Sequence, residues 1–127
     1  GRVVVLGIGV DLIQVARMNS WVDQGGLIER FFHPAEVADA RSRGVKAMAA
    51  SLAVRYAAKE ALGKAMGTGL QHFQLREVQV VNDPQGKPEI LLHGNAKNTF
   101  ARFGGKRIHL SLTHELDNAV AMVVIEG

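Results

Sequence analysis

Between Lys46 and about Met66 the chain places Val54, Ala57, Ala58, Ala61, Leu62 and Ala65 at helical spacing, as one small apolar stripe. No other feature limits the fold as strongly. The many alanines let a neighbouring element approach this helix closely. Gly63 sits within it, where glycine costs about 1 kcal/mol relative to alanine. Gly67-Thr68-Gly69 ends it, and Gly67 suits the left-handed cap after a last turn. Arg55, Lys59, Glu60 and Lys64 fall off the stripe and are expected on a solvated face. Glu60 and Lys64 are four apart in the favourable order, an exposed pair worth about 0.2–0.5 kcal/mol.

Around this helix the remaining pattern is mixed. Val3–Val10 is β-branched and apolar and predicts a buried strand. A helix is expected from Leu12 to about Trp21, broken by Gln24-Gly25-Gly26. Residues 27–32 are ambiguous, and Pro34 opens a short helix to Arg41. Leu75–Val81 and Glu89–His93 predict two strands joined by the turn-rich stretch Asn82–Pro88. Asn95–Phe103 predicts a helix stopped by Gly104-Gly105. From Arg107 to Thr113 apolar and polar residues alternate, as in a strand with one buried face. Ala119–Ile125 is apolar on both faces, which suits a central strand or one covered by an interface. The layout predicts one α+β domain over residues 1–127, with mostly antiparallel strands packed on the long helix.

Composition narrows the chemistry. The 127 residues include no cysteine, so thiolate nucleophiles, disulfides and cysteine-ligated zinc are excluded. Apolar runs are far shorter than a membrane span, and no signal peptide is visible, so a soluble cytosolic protein is expected. The net charge of +3 favours an anionic partner without naming one. A small RNA-binding module is one such option, but the aromatic residues are scattered and form no stacking cluster.

Most familiar site motifs fail. Gly7-Ile8-Gly9 begins a dinucleotide fingerprint, but its third glycine position is Leu12. The five histidines lack zinc-ligand spacing. Asp11 follows an apolar strand, where a ligand-facing carboxylate is expected in many sheet proteins. Asp11-x-x-Gln14 also has capping-box form, so a helix cap is the simpler expectation. Glu60, a lone carboxylate among Arg55, Lys59 and Lys64, fits a Mg²⁺ ligand if phosphate lies beside it. Mg²⁺ needs only one or two carboxylates when phosphate oxygens and water complete its shell. Asp11 and Glu60 are candidates for those two. His114 shares parity with Ile108, Leu110 and Leu112 and is expected at a core edge, or as a phosphate partner or proton carrier in a site.

Four ordered pieces then bring a family into view. They are Gly7-Ile8-Gly9-Val10-Asp11-Leu12 with Arg17, Arg55–Ala61 with Lys64 and Gly67-Thr68-Gly69, Gly86-Lys87-Pro88, and Leu110–Glu115. Together they resemble the holo-acyl-carrier-protein synthases among the 4′-phosphopantetheinyl transferases, across essentially the whole chain. The resemblance implies transfer of the phosphopantetheine arm of coenzyme A to a serine of apo acyl carrier protein, releasing adenosine 3′,5′-bisphosphate. It implies Mg²⁺ dependence, a role in fatty acid biosynthesis, and homotrimers with active sites at subunit interfaces. It gives Asp11 and Glu60 the metal, and Lys64 the coenzyme A phosphates. Gly67, Thr68 and Gly69 become the turn beside the nucleotide. Lys87, Pro88, Ser111 and His114 become coenzyme A neighbours, and Arg17 and Arg30 face the carrier protein. Tyr56 stands where the family commonly has another aromatic. A non-enzymatic coenzyme A-binding relative would be expected to lack Asp11 or Glu60.

Overall fold

The computed structural model describes residues 2–69 and 71–127. The predicted long helix, α4 (Val45–Met66), forms the centre of the fold. Gly67 closes it in the left-handed region at φ 76°. Strand β1 (Val5–Gln14) lies directly on its alanine stripe. A Cβ built on Gly7 or Gly9 would sit 1.9 Å from the carbonyl oxygen of Ala65 or Ala61. The two glycines therefore serve close packing of strand on helix, and have no part in a phosphate loop.

A three-stranded sheet has the order β1-β5-β4, with β4 spanning Arg107–Glu115 and β5 spanning Asn118–Glu126. A separate hairpin pairs β2 (Val78–Asn82) with β3 (Pro88–Leu92), and β3 runs beside β4. Every strand pair is antiparallel. The predicted central strand is β5. Its Ala119, Ala121, Val123 and Ile125 are wholly buried toward α4. Its other face is half-covered and carries Val120, Met122 and Val124. Asp83 fixes the hairpin turn by accepting from the backbone of Gln85 at 2.9 Å and of Lys87 at 2.8 Å.

Strand β1 is not the buried strand expected: it lies at the sheet edge with Val5, Ile8 and Val10 exposed. Two element assignments also differ from the sequence expectation. Leu12 and Ile13 belong to β1, and helix α1 spans Val15–Val22. Pairing of β1 with β5 continues through Asp11↔Ala121 to Gln14↔Asn118, and this distant ladder overrides the local helical pattern. Asp11 is consequently no helix cap: it lies within the strand, and Gln14 precedes α1 without a side-chain bond. Leu75–Glu77 forms a 3₁₀ turn instead of strand. Glu77 draws it tight by accepting from Gln74 N, and its second oxygen takes Asn95 N at the start of α5 (Gly94–Phe103).

The ambiguous stretch holds α2 (Leu27–Phe31), followed by α3 (Pro34–Ser42). His33 caps α3: its Nδ1 accepts from Ala35 N at 3.0 Å, while Glu36 accepts from His33 N at 3.0 Å. The ring also stacks on His93, 5.0 Å between centroids. Burial holds the His33 pKa below its ordinary value, and His93 and Lys59 add to this against the opposing Glu36. The neutral ring is thus favoured in the fold. As pH falls through about 6.5, the unfolded chain takes its proton first and stability declines until folded His33 also protonates. His33→Asn, which caps without titrating, is expected to lose less melting temperature than the parent between pH 7.5 and 5.5. An equal loss in both proteins contradicts this role.

Candidate active site

Tyr56, Glu60 and Lys64 recur every four residues and share one flank of α4. Asp11 has the parity of buried Gly9 and Ile13, so it points from β1 toward that helix. Lys64 Nζ closes the gap by donating to Asp11 Oδ1 at 3.0 Å and to Val10 O at 3.1 Å. The Asp11 side chain keeps only 16% exposure, whereas that of Lys64 keeps 56%. The ammonium therefore reaches from solvent to a largely sheltered carboxylate.

Tyr56 joins this cluster, and sequence reasoning gave it no part beyond its aromatic ring. Burial pushes its pKa up to about 12, and the adjacent Glu60 and then Asp11 add to this against Arg17. The hydroxyl thus stays protonated at neutral pH. The Arg17 guanidinium lies over Trp21 and Tyr56, 5.1 and 5.2 Å from the ring centroids. Trp21 in turn meets Tyr56 edge-on and packs on Phe31. Arg30 lies over Phe31 at 5.6 Å. Arg17 and Arg30 therefore flank one aromatic patch that ends at Glu60.

Two of the helix cations expected on a solvated face lie inside the fold. Arg55 and Lys59 are buried, at 4% and 0% exposure, on the α3 side of α4. Lys59 Nζ donates to Glu36 Oε1 at 2.6 Å, to Leu75 O at 3.1 Å and to Val78 O. Glu36 Oε2 accepts from Val80 N at 3.0 Å. Burial lowers the Lys59 pKa, and Glu36 opposes that shift. These two helix cations are paired inside the fold, so neither surrounds Glu60 nor forms a basic stripe for nucleic acid. Lys64 alone of the three reaches the Asp11–Glu60 flank.

A groove of about 310 Å³ opens on the other flank of α4, between the helix, the hairpin and β4. Its lining includes Arg43, Ser51, Val54, Arg55, Pro88 and His114. Ser51 and Glu60 are nine positions apart, hence about 180° around the helix. His114 is exposed and lines this groove, not a core edge. Arg43, Ser51 and Arg55 went unrecognised as groove residues, because their meeting depends on α3 lying beside α4. Lys87 lines a neighbouring cleft with Lys106 and Arg107. Ser111 pairs with Met122 and lies on the outer sheet face, away from Asp11. Thr68 borders a small cleft with His72 and Arg102, just beyond Lys64.

One chain therefore divides the expected site. Asp11, Glu60, Lys64 and the Gly67-Thr68-Gly69 turn occupy one side. Pro88 and His114 occupy another, with Lys87 and Ser111 separate again. The outer sheet face leaves Ile8 at 62%, Val10 at 56%, Leu12 at 62% and Met122 at 46% exposure, an apolar surface that one copy leaves uncovered.

Among the described residues no three histidines, cysteines or acids gather as a complete metal shell. The donor set of Asp11 and Glu60 instead fits a hard cation that takes its remaining oxygens from phosphate and water. No helix among the described residues is long and apolar enough to cross a membrane.

Residues 7–123 match the family model of the 4′-phosphopantetheinyl transferase superfamily. A holo-[acyl-carrier-protein] synthase of Treponema denticola is 47% identical over 123 residues, 97% of this chain and 99% of that protein. The crystal structure of a holo-(acyl-carrier-protein) synthase from Bacillus anthracis in complex with CoA (3′,5′-ADP) superposes with a TM-score of 0.82 at 31% identity. It covers 97% of each chain. The Plasmodium yoelii acyl carrier protein synthase with ADP bound gives a TM-score of 0.90 at 29% identity, covering 100% of this chain and 98% of that one. The chain belongs to the 4′-phosphopantetheinyl transferase superfamily and is an enzyme of the holo-[acyl-carrier-protein] synthase type.

Proposed function

We propose that this enzyme moves the 4′-phosphopantetheine arm of coenzyme A onto a serine of apo acyl carrier protein. Adenosine 3′,5′-bisphosphate is the other product, and the reaction serves fatty acid biosynthesis in the cytoplasm. The observation that carries the reading is Lys64 joined to Asp11 at 3.0 Å on the flank of α4 that bears Glu60. Two carboxylates and an ammonium there match phosphoryl transfer, where positioning and charge supply most of the catalysis.

The serine oxygen attacks the β-phosphorus of the diphosphate. The bond from that phosphorus to the oxygen bridging the two phosphates breaks, and adenosine bisphosphate leaves with that oxygen. Glu60 or Asp11 receives the serine proton, directly or through water. Lys64 offsets charge on the phosphoryl oxygens. The neutral Tyr56 hydroxyl beside Glu60 helps orient that carboxylate. Asp11 and Glu60 would hold Mg²⁺, which when bound supplies charge neutralisation at the diphosphate. The Gly67-Thr68-Gly69 turn lies along the nucleotide. Arg17 and Arg30, on their aromatic patch, receive the carrier protein.

Lys87, Pro88, Ser111 and His114 serve coenzyme A from the neighbouring copy, together with Arg43 and Arg55 of its groove. Homotrimer formation through the exposed Ile8–Val10–Leu12 face would bring the two halves together. This explains why one chain separates them.

The test is incubation with coenzyme A, Mg²⁺ and apo carrier protein. One phosphopantetheine mass is expected on the carrier, abolished by a chelator and restored by added Mg²⁺. No mass increase with any divalent cation contradicts the reading.

A further inference from the structure

The groove beside His114 carries its charge unevenly. Arg55 commits Nη1 to the Glu36 carbonyl oxygen at 3.0 Å and to Ser51 Oγ at 3.1 Å. Its Nη2 meets Asp39 Oδ2 at 2.5 Å. Arg43 Nε donates to that same oxygen at 3.1 Å. One carboxylate oxygen is thus shared by two guanidiniums that both line the groove. Hydrogen bonds from Arg55 and then Arg43 hold the Asp39 carboxyl below the usual carboxylate range, so it is ionised at neutral pH.

The two cations differ in how much they need Asp39. The Arg55 side chain is 5% exposed and keeps both Nη1 bonds without it. The Arg43 side chain is 46% exposed, and Asp39 is its side chain's only hydrogen-bond partner among the described residues. Asp39 itself is 45% exposed. The Arg43 arm of this clasp is exposed and adds little to folding, whereas the other arm balances the buried charge of Arg55. Asp39 does not itself line the groove, but it neutralises two arginines that do.

We propose that Asp39 is a built-in counter-anion to the groove's two arginines, competing with a ligand phosphate for Arg43 and weakening that ligand's binding until Arg43 is released. The ligand class is a phosphate monoester dianion, which outcompetes a singly charged carboxylate at paired guanidiniums. The proposal rests on the reading of this groove as part of the site for coenzyme A, a ligand whose only phosphate monoester is the 3′-phosphate. Asp39 is then an affinity-setting residue that lets product leave, while Arg55 stays fixed for the next ligand.

Titration calorimetry with adenosine 3′,5′-bisphosphate separates the proposal from the reading beneath it. Removing one negative charge about 6 Å from a dianion in aqueous surroundings is worth up to about tenfold in affinity. Asp39→Asn and Asp39→Ser are therefore expected to bind the bisphosphate roughly three- to tenfold more tightly than the parent, with the gain shrinking at high salt. Glu29→Gln removes a charge outside the groove and is expected to leave affinity unchanged. If the parent binds no bisphosphate, the groove reading fails and the proposal with it. If the parent binds and folded Asp39→Asn or Asp39→Ser binds equally or more weakly, the counter-anion role is overturned while the groove reading stands. An equal gain in Glu29→Gln also overturns it, since net charge alone would then explain the effect.

Discussion

Glu60→Gln folds normally and transfers phosphopantetheine roughly 10²–10⁴-fold more slowly than the parent, the usual range when a positioned proton acceptor is lost. Glutamine keeps the size of the side chain and its place beside Tyr56. It removes the charge that would receive the serine proton and help hold Mg²⁺. Glu60 is only half-buried, and the core of α4 is built from its alanines and leucines, so melting should change little. Single-turnover mass analysis of the carrier gives the rate, and the Mg²⁺ concentration for half-maximal rate should rise as that rate falls. Near-parental turnover in Glu60→Gln removes this carboxylate from both roles.

The largest stability effect is expected at Lys59, which touches no proposed ligand. Lys59→Met leaves Glu36 wholly buried with its charge uncompensated, and breaking such a pair from one side costs about 3–5 kcal/mol. The variant also loses the bonds to Leu75 O and Val78 O that pin the start of the hairpin to α4. Urea unfolding should show the full loss in Lys59→Met. Adding Glu36→Leu is expected to recover part of it, because the stranded charge is gone. Recovery stays incomplete, since Glu36 also accepts from His33 N and Val80 N. A loss below about 1 kcal/mol in Lys59→Met contradicts this account of the buried pair.

These two neighbours, Lys59 and Glu60, show where sequence was informative. The α4 stripe and its glycine stop are local patterns, and the structure places them as expected. The spacing of Glu60 and Lys64 was equally legible, although Lys64 bonds to Asp11 across 53 positions, a partner that spacing on one helix could not supply. Arg55 and Lys59 looked like solvated cations because their partners Asp39 and Glu36 lie on α3, visible only once that helix packs beside α4. Asp11 had the form of a helix cap because its true constraint is a ladder with β5, more than a hundred positions away. The His114 groove was illegible for the same reason: Ser51, Pro88 and His114 come from three distant segments.

The separation of that groove from Glu60 is what makes the central claim testable. On this account Asp11, Glu60 and Lys64 of one copy work with His114, Arg43 and Arg55 of the next. Glu60→Gln damages the first half, and His114→Glu places a repelling charge in the second. Each variant alone should be nearly inactive. Co-expressed, they form mixed assemblies in which some interfaces join two undamaged halves. The decisive measurement is carrier phosphopantetheinylation by such assemblies, with their composition fixed by native mass spectrometry. Recovery of activity well above either variant alone is predicted. Mixed assemblies that form but remain as inactive as their parents contradict a site shared between copies.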